Sequence, residues 1–148
     1  MIAIGCDHAA VEFKKSIIEH LQARGWKVQD FGTHTSEAVD YPQYARKVAE
    51  AVARGECEKG ILICGTGIGM SIAANKVRGI RCALCGDTFS ARATREHNDA
   101  NVLALGERVL GKGLALDIVD VFLTTAFSGE ERHVRRIEGI SAIEREEK

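Results

Sequence analysis

Net charge is almost absent from this chain: 20 basic and 21 acidic side chains leave −1 at neutral pH. Neither a general attraction to nucleic acid nor the self-repulsion of a disordered chain is indicated. There is a single proline, and no proline- or serine-rich stretch, repeat or low-complexity tract, so nothing divides the 148 residues into parts. No apolar run approaches membrane length, and the chain opens directly on the strand-like Met1-Ile2-Ala3-Ile4-Gly5-Cys6 without a basic-apolar-small leader; a cytoplasmic protein is expected. Five cysteines (Cys6, Cys57, Cys64, Cys82, Cys85), odd in number and irregularly spaced, suit reduced thiols better than a disulfide framework.

What is present is 45% hydrophobic residues, enough for one core in a single domain over 1–148. Composition shifts only in the charged tail Glu144-Arg145-Glu146-Glu147-Lys148. Short apolar runs at Ile2-Cys6, Lys27-Phe31, Gly60-Cys64, Arg81-Cys85 and Asn101-Leu105 read as strands. Between them lie segments of helical period. Ala10, Phe13, Ile17, Ile18 and Leu21 form a stripe that stops at Gly25, and Tyr44, Val48 and Val52 form another behind Pro42. Pro42 fits a first helical turn, with Tyr41 before it extended. Further helices are predicted from within Gly65-Gly69 to Val77, from Thr88 to Glu96, and from Leu114 through Phe122. The runs Ile61-Ile63 and Cys82-Leu84 read as strands buried on both faces. The alternation predicts an α/β protein: a three-layer αβα, Rossmann-like fold with a central five-stranded parallel sheet.

In such a sheet, ligands bind beyond the carboxyl ends of the strands. That rule gathers Asp7-His8, Asp40-Tyr41, Cys64-Gly69 and Asp87 around one crevice. The segment Ile61-Leu62-Ile63-Cys64-Gly65-Thr66-Gly67-Ile68-Gly69 is the most unusual in the chain. It is not a dinucleotide fingerprint, whose sixth position would be glycine and is Met70; it lacks the Gly-Lys-Ser/Thr of a P-loop; and Met70 stands where a cysteine phosphatase needs arginine. What remains is a cysteine before a run of amides at a helix start, where negative charge is favoured and a thiolate is enriched. A thiolate base beside an amide nest suits proton transfer between carbons next to a carbonyl, through an enediolate. The alternative for Cys64 is a small, inert, buried hydrophobe.

His8 reads either as a surface or capping histidine or as a ligand of the crevice. Arg132, Arg135 and Arg136 read either as a solvated face or, with Arg132 and Arg136 four apart on a helix, as a grip on one phosphate. Cys82 and Cys85 point to opposite faces of a strand, so neither a redox nor a zinc role follows from their spacing. No metal-ligand cluster and no requirement for an organic cofactor are apparent.

The segments GCDHAA (5–10), DYP (40–42), GILICGTGIGMSIAANK (60–76), EHNDANVLALGERV (96–109) and RHVRRIEGISAIE (132–144) resemble the type B ribose-5-phosphate isomerases, a family that also holds the galactose-6-phosphate isomerase subunits. The resemblance implies interconversion of ribose 5-phosphate and ribulose 5-phosphate, in the pentose phosphate pathway, by a cofactor-free homodimer with shared sites. A tetramer and a six-carbon sugar phosphate stay open. It places Cys64 as the carbon base, in a family where other members use a glutamate elsewhere. Thr66 assists transfer between the oxygens, and the amides of Gly65, Gly67, Ile68 and Gly69 hold the enediolate. His97 becomes the ring-opening acid/base and Asn98 a substrate contact, both supplied across the dimer. Asp7 and Tyr41 would contact the sugar, and His8, Arg108, Arg132 and Arg136 the phosphate. The C-terminal helix from about 132 would pack on the partner. A non-catalytic phosphate- or nucleotide-binding module and a purely structural subunit are the competing readings.

Overall fold

The computed structural model describes residues 1–146; Glu147 and Lys148, the end of the charged tail, lie outside the described residues. Five strands, β1 (Ile2–Cys6), β2 (Val28–Asp30), β3 (Lys59–Cys64), β4 (Cys82–Leu84) and β5 (Val102–Gly106), alternate with six helices. These are α1 (Val11–Ala23), α2 (Tyr41–Ala53), α3 (Ile68–Ala74), α4 (Thr88–Asn98), α5 (Lys112–Thr124) and α6 (Glu131–Arg145). The sheet order is β2-β1-β3-β5-β4, and every pairing is parallel. The expected α/β architecture is the observed one.

The strand period of two sends neighbouring side chains to opposite layers. Ile2, Ile4, Ile61, Ile63, Leu103 and Leu105 pack on one face with α1, α4 and α5. Ala3, Leu62, Cys64 and Val102 pack on the other with α2 and α3. Cys64, the last residue of β3, therefore ends its strand on the α2/α3 face. The order of the sheet reverses at β1 and β3, which opens a crevice beyond their carboxyl ends.

Several expectations are corrected. The run Cys82-Ala83-Leu84 is not buried on both faces: β4 is an edge strand and Leu84 is 43% exposed. Its free edge is capped locally, for the Asn75 amide donates to the Cys82 carbonyl at 3.0 Å while its oxygen accepts the Cys82 N–H at 2.8 Å. α3 stops at Ala74 rather than Val77, and α4 runs on to Asn98, so His97 and Asn98 are helical. Tyr41 is the first residue of α2 and Asp40 is the extended one; packing of Ala45, Val48 and Val52 on the sheet outweighs the extended preference of a residue before proline.

The buried face of α1 is Val11, Lys14, Ile17 and Leu21, with Phe13 and Ile18 at its margin. Lys14 is 1% exposed. Its ammonium donates to Asp30 Oδ1 at 2.7 Å and to the Thr33 carbonyl, and Asp30 Oδ1 also accepts the Gly32 N–H. A buried charge of this kind persists only when paired and hydrogen-bonded. Here it fastens the loop after β2 to the floor of the crevice.

Candidate active site

The turn after β3 is built by glycine. Gly67 takes φ +80° at the start of α3, a conformation that L side chains rarely adopt. A Cβ there would stand 2.6 Å from Leu84 and 2.8 Å from the Leu105 carbonyl carbon, and one on Gly106 would stand 2.5 Å from the Thr66 carbonyl oxygen. Lacking both, the Cys64–Gly67 turn lies flat on β5. It is tied there by the Glu107 N–H to the Cys64 carbonyl at 2.9 Å and the Arg108 N–H to the Gly65 carbonyl at 3.0 Å.

Within this turn the Gly67 N–H donates to Cys64 Sγ at 3.1 Å, and the Ile68 N–H to Thr66 Oγ1 at 3.2 Å. The amide nest expected from sequence is thus partly occupied by its own side chains, and one of its donors is spent on the cysteine sulfur. The other four cysteines are in a different situation. Burial pushes Cys6 and Cys85 up to about 11 and Cys82 up to about 12, and it raises Cys57 as well. Those thiols stay protonated at neutral pH.

Around Cys64 the structure gathers Asp7, His8, Tyr41, Thr66 and Arg108. The Tyr41 ring covers Gly69, where a Cβ would approach it to 2.6 Å, and the Arg108 side chain lies over Gly65. His8 Nδ1 accepts the Val39 N–H at 3.2 Å, which assigns the remaining proton to Nε2 and leaves a donor suited to a phosphate oxygen. Asp7 Oδ1 accepts the N–H groups of Ala9 and Ala10, so its carboxylate caps the single 3-10 turn His8–Ala10. Asp87 likewise caps α4, through the Ser90 N–H and hydroxyl.

His97, Asn98, Arg132 and Arg136 form a separate group. α4 leaves the carboxyl end of β4 and runs back along the sheet, so its 11 residues carry His97 and Asn98 about 16 Å toward the amino ends of the strands. α6 is helical throughout, with Arg132 and Arg136 one turn apart near its start. His97 stacks on His133 with ring centroids 4.4 Å apart and planes at 16°. His133 Nε2 accepts from Arg132 Nε at 3.3 Å. Burial, then the charges of His97, Arg132 and Arg136, hold His133 below the ordinary histidine value against the opposing pull of Glu130. One copy of the chain does not bring this group to Cys64. A cavity of about 760 Å³ between α6, β4 and the end of α3 takes in Asn98 but neither Cys64 nor Tyr41.

Sequence reasoning missed His133, which differs from its basic neighbours only in being buried. It also missed Arg81, Arg95 and Asp99, which meet at the end of α4. The single available signal was the place of His133 between two candidate arginines. Among the described residues no group of three or more histidine, cysteine, aspartate or glutamate side chains is placed to hold a metal ion, and no helix is long and apolar enough to cross a membrane.

The family model described as Ribose/Galactose Isomerase matches residues 2–140. The chain belongs to the ribose/galactose isomerase family. Among its relatives, ribose-5-phosphate isomerase B of Escherichia coli is 54% identical over 143 residues, covering 97% of this chain and 95% of the relative. The Clostridium thermocellum ribose-5-phosphate isomerase B structure superposes with a TM-score of 0.94 at 58% identity, covering 97% of this chain and 96% of that one. A Mycoplasma genitalium ribose-5-phosphate isomerase B, solved with bound ribulose 5-phosphate, superposes with a TM-score of 0.93 at 41% identity, covering 99% and 97%.

Proposed function

We propose that this chain interconverts D-ribose 5-phosphate and D-ribulose 5-phosphate, with Cys64 as the base that moves the proton between the first two carbons. The observation that carries the assignment is the Gly67 N–H on Cys64 Sγ at 3.1 Å, at the carboxyl end of a central strand and beneath Tyr41 and Arg108. The names of the family relatives support the substrate class.

The sugar phosphate docks through its phosphate on the His8 Nε2–H and on arginines, with Arg108 on the Cys64 side. The furanose opens: the C1–O4 bond breaks, O4 gains a proton, and the hydroxyl on C1 loses one to become the aldehyde. Cys64 thiolate takes the C2 proton, and the electrons pass to the C1 oxygen as an enediolate held by amides of the turn. Thr66 hands a proton between the two oxygens. Cys64 returns its proton to C1 and leaves the ketose.

Ring opening is assigned to His97, with Arg132 and Arg136 as the second half of the phosphate grip, all from another copy of the chain. Their distance from Cys64 within one copy supports a homodimer with shared sites. So do the exposed apolar side chains Ile68, Ile72, Leu84 and Phe89 on α3, β4 and α4.

The test is turnover of ribose 5-phosphate, with allose 6-phosphate alongside. Cys64→Ala is expected to lose at least about 10³-fold in kcat, at the upper part of the range for a positioned acid or base, while still binding the sugar phosphate. A fully active alanine variant would remove Cys64 from the role.

A further inference from the structure

The carboxyl end of α4 is held by more than a helix end requires. Asp99 follows Asn98 with φ 46° and ψ 44°, the one left-handed residue other than glycine among the described residues. A glycine would take that conformation without strain. α1 shows the simpler solution, closing through backbone bonds alone at Arg24 and Gly25.

The Asp99 carboxylate explains the difference. Arg95, 6% exposed, donates from Nη1 to Asp99 Oδ1 at 2.8 Å and to the Ala100 carbonyl at 2.6 Å, and from Nε to the Thr125 carbonyl at 3.1 Å. Arg81 reaches the same turn from the start of β4. It donates Nε to the Asn98 carbonyl and Nη2 to the Asp99 carbonyl, each at 2.9 Å, and Nη2 lies 3.6 Å from Asp99 Oδ2. Two guanidinium groups from different elements fasten the backbone of residues 98–100, and one carboxylate bridges them.

What these bonds hold still is the exposed last turn that carries His97 and Asn98. We propose that Asp99, together with Arg81 and Arg95, is a positioning device for His97, fixing the helix end from which the imidazole reaches a sugar bound at another copy's Cys64. The inference rests on the isomerase reading above. Ring opening needs one imidazole within hydrogen-bond reach of the C1 hydroxyl and O4 together, and small displacements of such a group slow the step. The stack on His133 sets the ring plane; the bridged turn sets where the helix ends.

Asp99→Gly is the direct test, because it keeps the left-handed backbone and removes only the bridge. The expected result is a kcat/KM for ribose 5-phosphate lower by about tenfold or more in protein that is still fully folded at the assay temperature, although its melting temperature falls because buried Arg95 loses its charged partner. The C2-deuterium isotope effect on kcat/KM should be no larger than in the wild type, since the lost rate belongs to ring opening. Asp99→Asn, which tolerates the same backbone and keeps an acceptor, should recover part of the loss. Wild-type kcat/KM in Asp99→Gly would overturn the proposal. So would an enlarged isotope effect, or a loss that merely follows the fraction of folded protein. A wild-type protein without turnover removes the isomerase reading and this one with it, whereas an active wild type with an unaffected Asp99→Gly removes only this one.

Discussion

The two groups of candidate residues are built by different means. The Cys64 group rests on strand ends and backbone: its cysteine is 6% exposed, its turn is pressed onto β5, and its sulfur is held by an amide. The His97 group stands on the ends of two helices beside the edge of the sheet, with exposed side chains braced by arginines and a histidine stack. The contrast follows the tasks assigned to them. A base that must reach two adjacent carbon atoms of the sugar is placed at the buried end of a central strand, in a turn tied down by backbone bonds. Groups proposed to reach another copy stand at the surface, where side chains supply the rigidity.

After Cys64→Ala, the largest effect that sharpens this comparison is expected from Gly106→Ala. Its methyl would stand 2.5 Å from the Thr66 carbonyl oxygen, so the Cys64 turn must lift from β5. A fall in kcat of about 100-fold, roughly 2.7 kcal/mol of barrier, should come with a lowered melting temperature; an unchanged kcat would mean that the backbone does not set the pose of the thiol.

On the helical side the effect is smaller and depends on pH. The proton affinity of His133 is depressed in the folded protein, so the folded state binds fewer protons than the unfolded chain. Its contribution to stability is present above the ordinary histidine value, about 6.5, and is lost as pH falls through the lower folded value. The drop in melting temperature between pH 7.5 and pH 5 should shrink in His133→Phe, which keeps a ring to stack on His97. An equal drop in both proteins would mean that His133 does not titrate in that range.

The two groups also differed in how far the sequence disclosed them. The alternation of Ile61 and Ile63 with Leu62 and Cys64 placed the cysteine at a strand end, and the glycines after it marked the turn, because both are local patterns. β4 was misjudged because an apolar triplet reads alike at the edge and in the middle of a sheet; its pairing on one side only is a tertiary fact. Lys14 lies on the same helical face as Ile17 and Leu21, and the partners that let its charge be buried, Asp30 and the Thr33 carbonyl, come from the end of β2 and the loop after it, which no local pattern announces. The stack of His97 on His133 joins residues far apart in the chain with no periodicity between them, and the left-handed Asp99 carries no local mark that a glycine would have given.

The claim that joins the two groups is that one active site draws on two copies of the chain. Cys64→Ala and His97→Ala proteins, each inactive or nearly so, are mixed in equal amounts, and subunit exchange is confirmed independently. With a two-fold symmetric dimer, half of the dimers are mixed and each has one intact site, so recovery should approach about a quarter of wild-type activity. No recovery after complete exchange would contradict the shared site and require His97 and Cys64 to act within one copy.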